Sequence, residues 1–290
     1  MLWVGYTLLS AFSLATTDAL TKKSLGDAHE AAEIYLAAWA RLLYAAVPLA
    51  LLLLIIPIPP LDAVFWRTML LMAPLELLAL VLYVKALQAS PLSVTQPLLS
   101  LTPLLLVVVA WLMLDERPTA VGLLGIVCVV AGTFLLQAQA WREGFWRPLR
   151  ALWRERGARL MMGAAAIYSV TSSLGKQAIL HSSALFFGIV YFLVLSAVFL
   201  PAVLAVAGPA GLTKIWRREF VTIGLFQSIM MISHVLAIAQ ANVAYMIAVK
   251  RTSMLFSLFY GGWWFGERHL AQRWAGALMM LVGVALTVAG

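Results

Sequence analysis

Residues 90–137 read SPLSVTQPLLSLTPLLLVVVAWLMLDERPTAVGLLGIVCVVAGTFLLQ. Two apolar runs, Val94–Leu114 and Ala120–Gln137, are joined here only across Asp115-Glu116-Arg117-Pro118. A membrane-crossing helix needs about 20 mostly apolar residues. So short a connection forces two such helices into an antiparallel hairpin.

The same pattern runs outward in both directions. It gives ten predicted spans: Leu2–Leu20, Glu33–Ile55, Val64–Leu87, Val94–Leu114, Ala120–Gln137, Leu160–Ile179, Leu185–Val206, Phe220–Gln240, Val243–Phe265 and Trp274–Ala289. Pro or Gly closes several connections, as at Pro57–Pro60, Ser90-Pro91 and Gly208-Pro209. Composition agrees. Hydrophobic residues make up 63% of the 290 and charged residues only 11%, against about a quarter charged in a soluble domain. With a mean hydropathy of +0.96, the outer surface must face lipid. Residues 2–20 lack a positive leading region, so they read as a first span rather than a cleavable signal.

The halves on either side of the polar, Arg- and Trp-rich stretch 138–159 resemble each other. Leu114-Asp115-Glu116-Arg117 recurs 151 residues later as Phe265-Gly266-Glu267-Arg268. Gly125, Gly132 and Glu76 recur at that offset as Gly276, Gly283 and Gln227. Earlier in the unit, Thr17, Leu20 and Lys22 recur as Thr171, Leu174 and Lys176. Constant offsets across several residue types mark an internal repeat. The units are 1–137 and 160–290, joined by the loop 138–159. Five spans per unit is an odd number, so the second copy sits inverted. The expected fold is an all-α integral membrane protein of ten transmembrane helices in two inverted five-helix repeats.

The net charge of +8 invites a nucleic-acid reading, but most Lys and Arg sit in short loops, where positive charge sets orientation. Fourteen fall on one side, including six between Arg142 and Arg159, and only Arg67 and Arg117 fall on the other. The bias predicts a cytoplasmic central loop and external termini, with Trp141, Trp146 and Trp153 as interfacial anchors. No nucleic-acid partner is expected. Cys128 is the only cysteine, which excludes disulfides and thiolate metal sites. HExxH, nucleophile-elbow and P-loop signatures are absent from the sequence. Neither enzyme activity nor a cofactor or metal is expected.

Ser90-Pro91-Leu92-Ser93-Val94, Thr102-Pro103-Leu104, the Asp115-Glu116-Arg117-Pro118-Thr119 turn, and then Gly125 and Gly132 together resemble the EamA domain of the drug/metabolite transporter superfamily. Glu267-Arg268, Gly276 and Gly283 repeat the pattern, so the resemblance covers nearly the whole chain as two units. Met254 departs from it, standing where the first copy has Pro103. Members of that superfamily export amino acids and drugs, or exchange sugar phosphates and nucleotide sugars. The resemblance therefore implies transport and leaves the substrate open.

Charge inside an apolar span costs at least a few kcal/mol and marks a cavity or a partner. Lys250 and Arg251 lie roughly 11–12 Å into the ninth span, near mid-membrane. Neighbouring helix positions diverge by about 100°, so one can line a cavity while the other pairs with a carboxylate. Glu76 and Arg41 lie at similar depth. Glu76 reads equally as a proton carrier or as the structural partner of Arg41, Lys250 or Arg251. Gln227, its repeat partner, cannot ionise. Lys176, Tyr83, Tyr245, Gln96 and His234 complete the substrate-binding candidates, with Asn242 and Trp39 as weaker pocket-lining ones. Asp18 and Lys22, four apart, suit a local pair. Pro91, Pro97 and Pro103 each remove a backbone donor, and the last two suit a functional kink.

The leading reading is a secondary active exporter or exchanger of a small polar metabolite bearing a carboxylate or phosphate. The Lys-Arg pair in the ninth span and a Lys in the sixth also resemble plastid sugar-phosphate translocators. The alternatives are proton-coupled efflux of lipophilic cations, or a non-transporting scaffold or lipid-handling protein. Expected partners are a small-molecule substrate, the lipid bilayer and a proton or counter-substrate. The chain is expected as a monomer or weak homodimer in a bacterial-type cytoplasmic (inner) membrane.

Overall fold

The computed structural model describes residues 1–25, 30–90, 92–138, 154–264 and 274–290. The Glu267-Arg268 turn, Pro91 and the tryptophans of the central loop lie outside them. The helices are α1 Leu2–Leu25, α2 Ala31–Leu52, α3 Ala63–Ala89, α4 Leu92–Leu99, α5 Thr102–Leu114 and α6 Ala120–Ala138 in the first half. The second half holds α7 Arg156–Leu180, α8 Ala184–Gly211, α9 Arg218–Gln240, α10 Val243–Lys250, α11 Ser253–Trp264 and α12 Trp274–Ala289. The pairs α4/α5 and α10/α11 each form one broken rod, which makes ten rods among the described residues.

Five helical segments are individually long and apolar enough to cross a membrane: Ala31–Leu52, Ala63–Tyr83, Pro97–Leu114, Ala184–Trp216 and Arg218–Gln240. Helices α6 and α12 supply shorter apolar stretches. The repeat-equivalent pair α1 and α7 is richer in hydroxyls. Thr7, Ser10, Ser13, Thr16 and Thr17 on α1, and Ser169, Thr171 and Ser173 on α7, are all buried. Many bond the carbonyl one turn back, as Thr17 does to Ser13 at 2.8 Å and Ser173 to Ser169 at 3.2 Å. The hydroxyl-bearing faces of these two helices belong to the interior, while Leu9 of α1 and Leu70, Val108, Leu112, Leu124 and Val282 elsewhere are exposed for lipid.

The packing is symmetric between halves. Helix α1 lies along α9 and α7 along α3, α2 packs on α8, and α6 packs on α12. Exchanging the halves maps this set of pairs onto itself. The tightest crossing shows the direction of the axis. A Cβ added at Gly125 would lie 2.7 Å from the carbonyl oxygen of Gly283, and one at Gly132 would lie 2.8 Å from that of Gly276. Position rises along α6 as it falls along α12, so equivalent helices run antiparallel. The two-fold axis is therefore perpendicular to the helices, in the membrane plane, and the repeats are inverted. Glycine is required at all four positions because two backbones touch there.

The two broken rods break in register. Helix α4 ends at Leu99 and α5 begins at Thr102; helix α10 ends at Lys250 and α11 begins at Ser253. In a continuous helix residue 103 would donate to the Leu99 carbonyl, and Pro103 cannot. The chain tightens instead, with Ser100 N bonding Pro97 O at 3.1 Å and Leu101 N bonding Leu98 O at 3.2 Å. The second copy makes the same tight turn without proline, Arg251 N bonding Ala248 O and Thr252 N bonding Val249 O, each at 3.0 Å. The fourth and ninth spans are thus paired half-helices; the first break falls beside Pro103, where the sequence suited a kink, and the second has no proline to signal it. Helix α8 bends at Gly208, whose φ of 67° and ψ of 169° suit glycine alone, close to the predicted end of the seventh span.

Candidate functional site

Between the halves lies a cavity of about 180 Å³. Glu76 of α3, Thr171 and Ser172 of α7, Tyr191 of α8, Gln227 and His234 of α9 and Lys250 of α10 supply its polar wall. Met72, Phe187, Phe192 and Met230 supply much of the rest. Helices from both halves build it.

Lys250 closes the last turn of α10, where its charge opposes the negative end of the half-helix. Its Nζ lies 3.1 Å from His234 Nδ1 and 3.4 Å from Met230 Sδ. Arg251, one position on, turns away. Its Nη2 donates to the Leu99 carbonyl at 3.2 Å, the oxygen that Pro103 leaves without a backbone donor. Thr102 Oγ1 donates to the same oxygen at 2.6 Å. The divergence of the two cations matches the helical rotation, but the carboxylate partner expected for one of them is replaced by a backbone carbonyl. Arg251 thereby ties the ninth span to the break in the fourth. Tyr83 and Tyr168 belong to the surroundings of this guanidinium.

Glu76 is the acidic residue of the cavity. Thr171 and Tyr191 are placed to hydrogen-bond to its carboxylate. No cation among the described residues forms an ion pair with it. Of the two readings of Glu76, proton carrier or structural partner of Arg41, Lys250 or Arg251, the ion pair is not formed among the described residues. Arg41 instead bridges Asp18 at 2.8 Å and Gln227 Oε1 at 3.2 Å. Asp18 thus pairs across helices to Arg41, beyond the local pair with Lys22 that its spacing suggested. The physical reason is position: α2 and α1 both face α9, which brings Arg41, Asp18 and Gln227 together.

Besides Arg41, Arg251 and Tyr83, the candidates Lys176 and Tyr245 also lie outside the cavity lining. Lys176 turns to the end of the bundle, where it pairs with Glu116 and donates to the Ala241 carbonyl. Tyr245 receives the Thr119 N–H on its hydroxyl at 2.8 Å and fills the space left by Gly122. Asn242 caps α10, accepting from Ala244 N at 3.0 Å, and Trp39 donates to the Ser196 carbonyl at 2.8 Å. The side chain of Gln96 lies outside those described. Tyr191, Thr171 and Ser172 were not singled out by the sequence reading. Tyr191 had a usable signal as one of two hydroxyls, with Ser196, within the apolar run Leu185–Val206, and Thr171 had one as the repeat partner of Thr17.

Clusters of three or more His, Cys, Asp or Glu able to hold a metal are absent among the described residues. A solved structure described only as "Crystal structure of protein" is similar to this chain with a TM-score of 0.73 at 17% identity, covering 98% of this chain and 96% of its own. That likeness concerns the fold alone. No curated protein matches. The EamA-like transporter family matches residues 1–137 and 155–289, one match for each half of the bundle. On that coverage, together with two inverted five-helix repeats enclosing a polar cavity, the chain belongs to the EamA-like transporter family.

Proposed function

We propose that this transporter is a secondary active exporter or exchanger of a small polar metabolite bearing a carboxylate or phosphate, working by alternating access between the repeats. One observation carries the reading. Lys250 projects into the cavity at mid-membrane, and its contacts there are a histidine nitrogen and a thioether rather than a carboxylate. A charge at that depth calls for a counter-ion, and an anionic substrate group supplies it. Glu76, lining the cavity with Thr171 and Tyr191, suits a positive group on the same substrate or a coupling proton. A coupling proton or a counter-substrate completes the cycle.

The same Glu76 beside Tyr191, Phe187 and Phe192 favours a second reading, efflux of lipophilic cations. Volume argues against it. About 180 Å³ falls below the roughly 300–1,000 Å³ of pockets for drug-sized ligands, and Lys250 would repel a cation. Loop charge supports a cytoplasmic central loop and external termini in a cytoplasmic-type membrane.

Counterflow into proteoliposomes, with a panel of amino acids, sugar phosphates and lipophilic cations, tests the assignment. Saturable exchange of a carboxylate- or phosphate-bearing compound is expected. Transport confined to lipophilic cations would replace this reading with the second.

A further inference from the structure

Lys176 recurs from Lys22 in the sequence and was a candidate for substrate binding, yet the cavity does not use it. Its ammonium pairs with Glu116 in the α5–α6 turn and donates to Ala241 O in the α9–α10 connection. The second oxygen of Glu116 accepts from Val243 N at 2.7 Å, at the start of α10. The side chains of Lys176 and Glu116 are only 11% and 15% exposed, so water screens the pair little. Glu116 belongs to the first repeat, while Lys176, Ala241 and Val243 belong to the second. The cluster therefore ties the repeats together at one end of the bundle.

That end is also the end of the cavity. Gly175 and Ile179, on either side of Lys176 along α7, line the cavity, as does Ile238, three residues before Ala241. The backbone of the α5–α6 turn frees Glu116 for this contact. Asp115 takes a left-handed conformation at φ 52°, and Glu116 N bonds back to Ala110 O at 3.3 Å, while Arg117 binds Asp115 on the surface. Any motion that opens the cavity here must part the turn from α7 and α10, and the Glu116 contacts cross that seam.

We propose that Glu116 and Lys176 form a latch that holds the cavity shut at the end carrying the α5–α6, α7–α8 and α9–α10 connections, and that breaks when the transporter opens there. The proposal rests on the transporter assignment but not on the substrate class. Its partners are positioning residues and touch no substrate.

Thiol accessibility tests it without any substrate. Cys128→Ser removes the single native cysteine, and Ile179→Cys places a reporter on the cavity wall beside the latch. A separate Arg117→Cys protein shows which face of the vesicle carries this end. A membrane-impermeant maleimide applied from that face should label the reporter at least several-fold faster in Glu116→Gln and in Lys176→Gln. The charge-exchanged pair Glu116→Lys with Lys176→Glu should return the rate toward the parent value. Where a single variant does not fold, Glu116→Cys with Lys176→Cys decides. With labelling read at position 179 alone, by fragment mass spectrometry of the labelled protein, oxidation before labelling should protect the reporter, and reduction should restore labelling at that position. Unchanged labelling in the folded Gln variants, or equal labelling in the oxidised and reduced double-cysteine protein, would make the cluster a static staple and overturn the latch. A failed anion assignment would leave all of these rates untouched.

Discussion

The two broken spans, α4/α5 and α10/α11, have the same backbone and different chemistry. Both stop for two residues at positions 151 apart, Ser100-Leu101 and Arg251-Thr252. In the first copy proline enforces the interruption and the freed carbonyl of Leu99 becomes an acceptor. In the second, Met254 stands where proline would be, and the residues at the break are cations: Lys250 enters the cavity and Arg251 crosses to the Leu99 carbonyl. The first break thus serves as an acceptor and the second as a donor. Glu76 and Gln227 show the same division, since one can ionise and its repeat partner accepts from Arg41. Symmetry sets the frame and supplies two matched breaks within the fourth and ninth spans. Departures from symmetry make the cavity polar in a directed way.

The largest effect should come from the symmetric frame. Gly132→Leu would drive a side chain into the backbone of α12, where even a Cβ would meet Met280 N at 2.7 Å. Overpacking costs about 1–3 kcal/mol and sometimes more, and here the obstacle is backbone. Purified protein should melt well below wild type or fail to remain monodisperse, and Gly276→Leu should match it. Gly5→Ala, with nothing within 4 Å of the new Cβ, should stay within about 0.5 kcal/mol. Equal tolerance at Gly132 and Gly5 would refute the close crossing.

Glu76→Gln makes the halves alike at that position. Without a cation to strand, it should leave thermal stability unchanged or slightly raised, while transport falls at least tenfold. A large loss of stability, rescued by also removing a cation, would reinstate a structural pair for Glu76. A smaller effect is expected of Pro103→Ala, which gives the Leu99 carbonyl a backbone donor. One hydrogen bond is worth about 0.5–1.5 kcal/mol, and the second copy breaks without proline, so the interruption should persist with little change in melting. A continuous fourth span in a structure of that variant would show that proline alone makes the break.

The smallest effect lies outside the membrane. Asp62 caps α3 by accepting from Phe65 N at 2.9 Å and meets His181 Nδ1 at 2.6 Å. The Phe65 N–H first, and then the imidazole, hold its carboxyl below the usual range. A depressed carboxylate stabilises the fold above its unfolded pKa, and that contribution disappears as pH falls through the folded one. Asp62→Asn should therefore lower the melting temperature slightly at neutral pH and lose that difference in acid. A difference that grows in acid would contradict the pairing.

How far these features were legible depended on how local their cause is. The crossing of α6 and α12 was written in the seven-residue spacing of Gly125 and Gly132 and its recurrence at Gly276 and Gly283. Lys250, Glu76, His234 and Gln227 were found because a polar residue in an apolar span stands out, and the cavity lining holds all four. Lys176 and Tyr245 carry the same signal but sit near the α5–α6 turn, where a hairpin from the other half reaches them. Depth along one helix does not reveal that neighbour. The partner of Arg251 was not legible for a related reason, since it is a carbonyl freed by a proline about 150 residues away in sequence.

The claim that the cavity receives an anion at Lys250 is tested most directly by equilibrium binding. The compound exchanged in proteoliposomes should be titrated onto purified wild-type protein and onto Lys250→Gln, with melting curves showing both folded. A charge-assisted hydrogen bond is worth about 1.5–3 kcal/mol, so the account predicts a Kd about ten- to a hundredfold weaker in Lys250→Gln at nearly unchanged stability. Equal Kd values in the two folded proteins would contradict it.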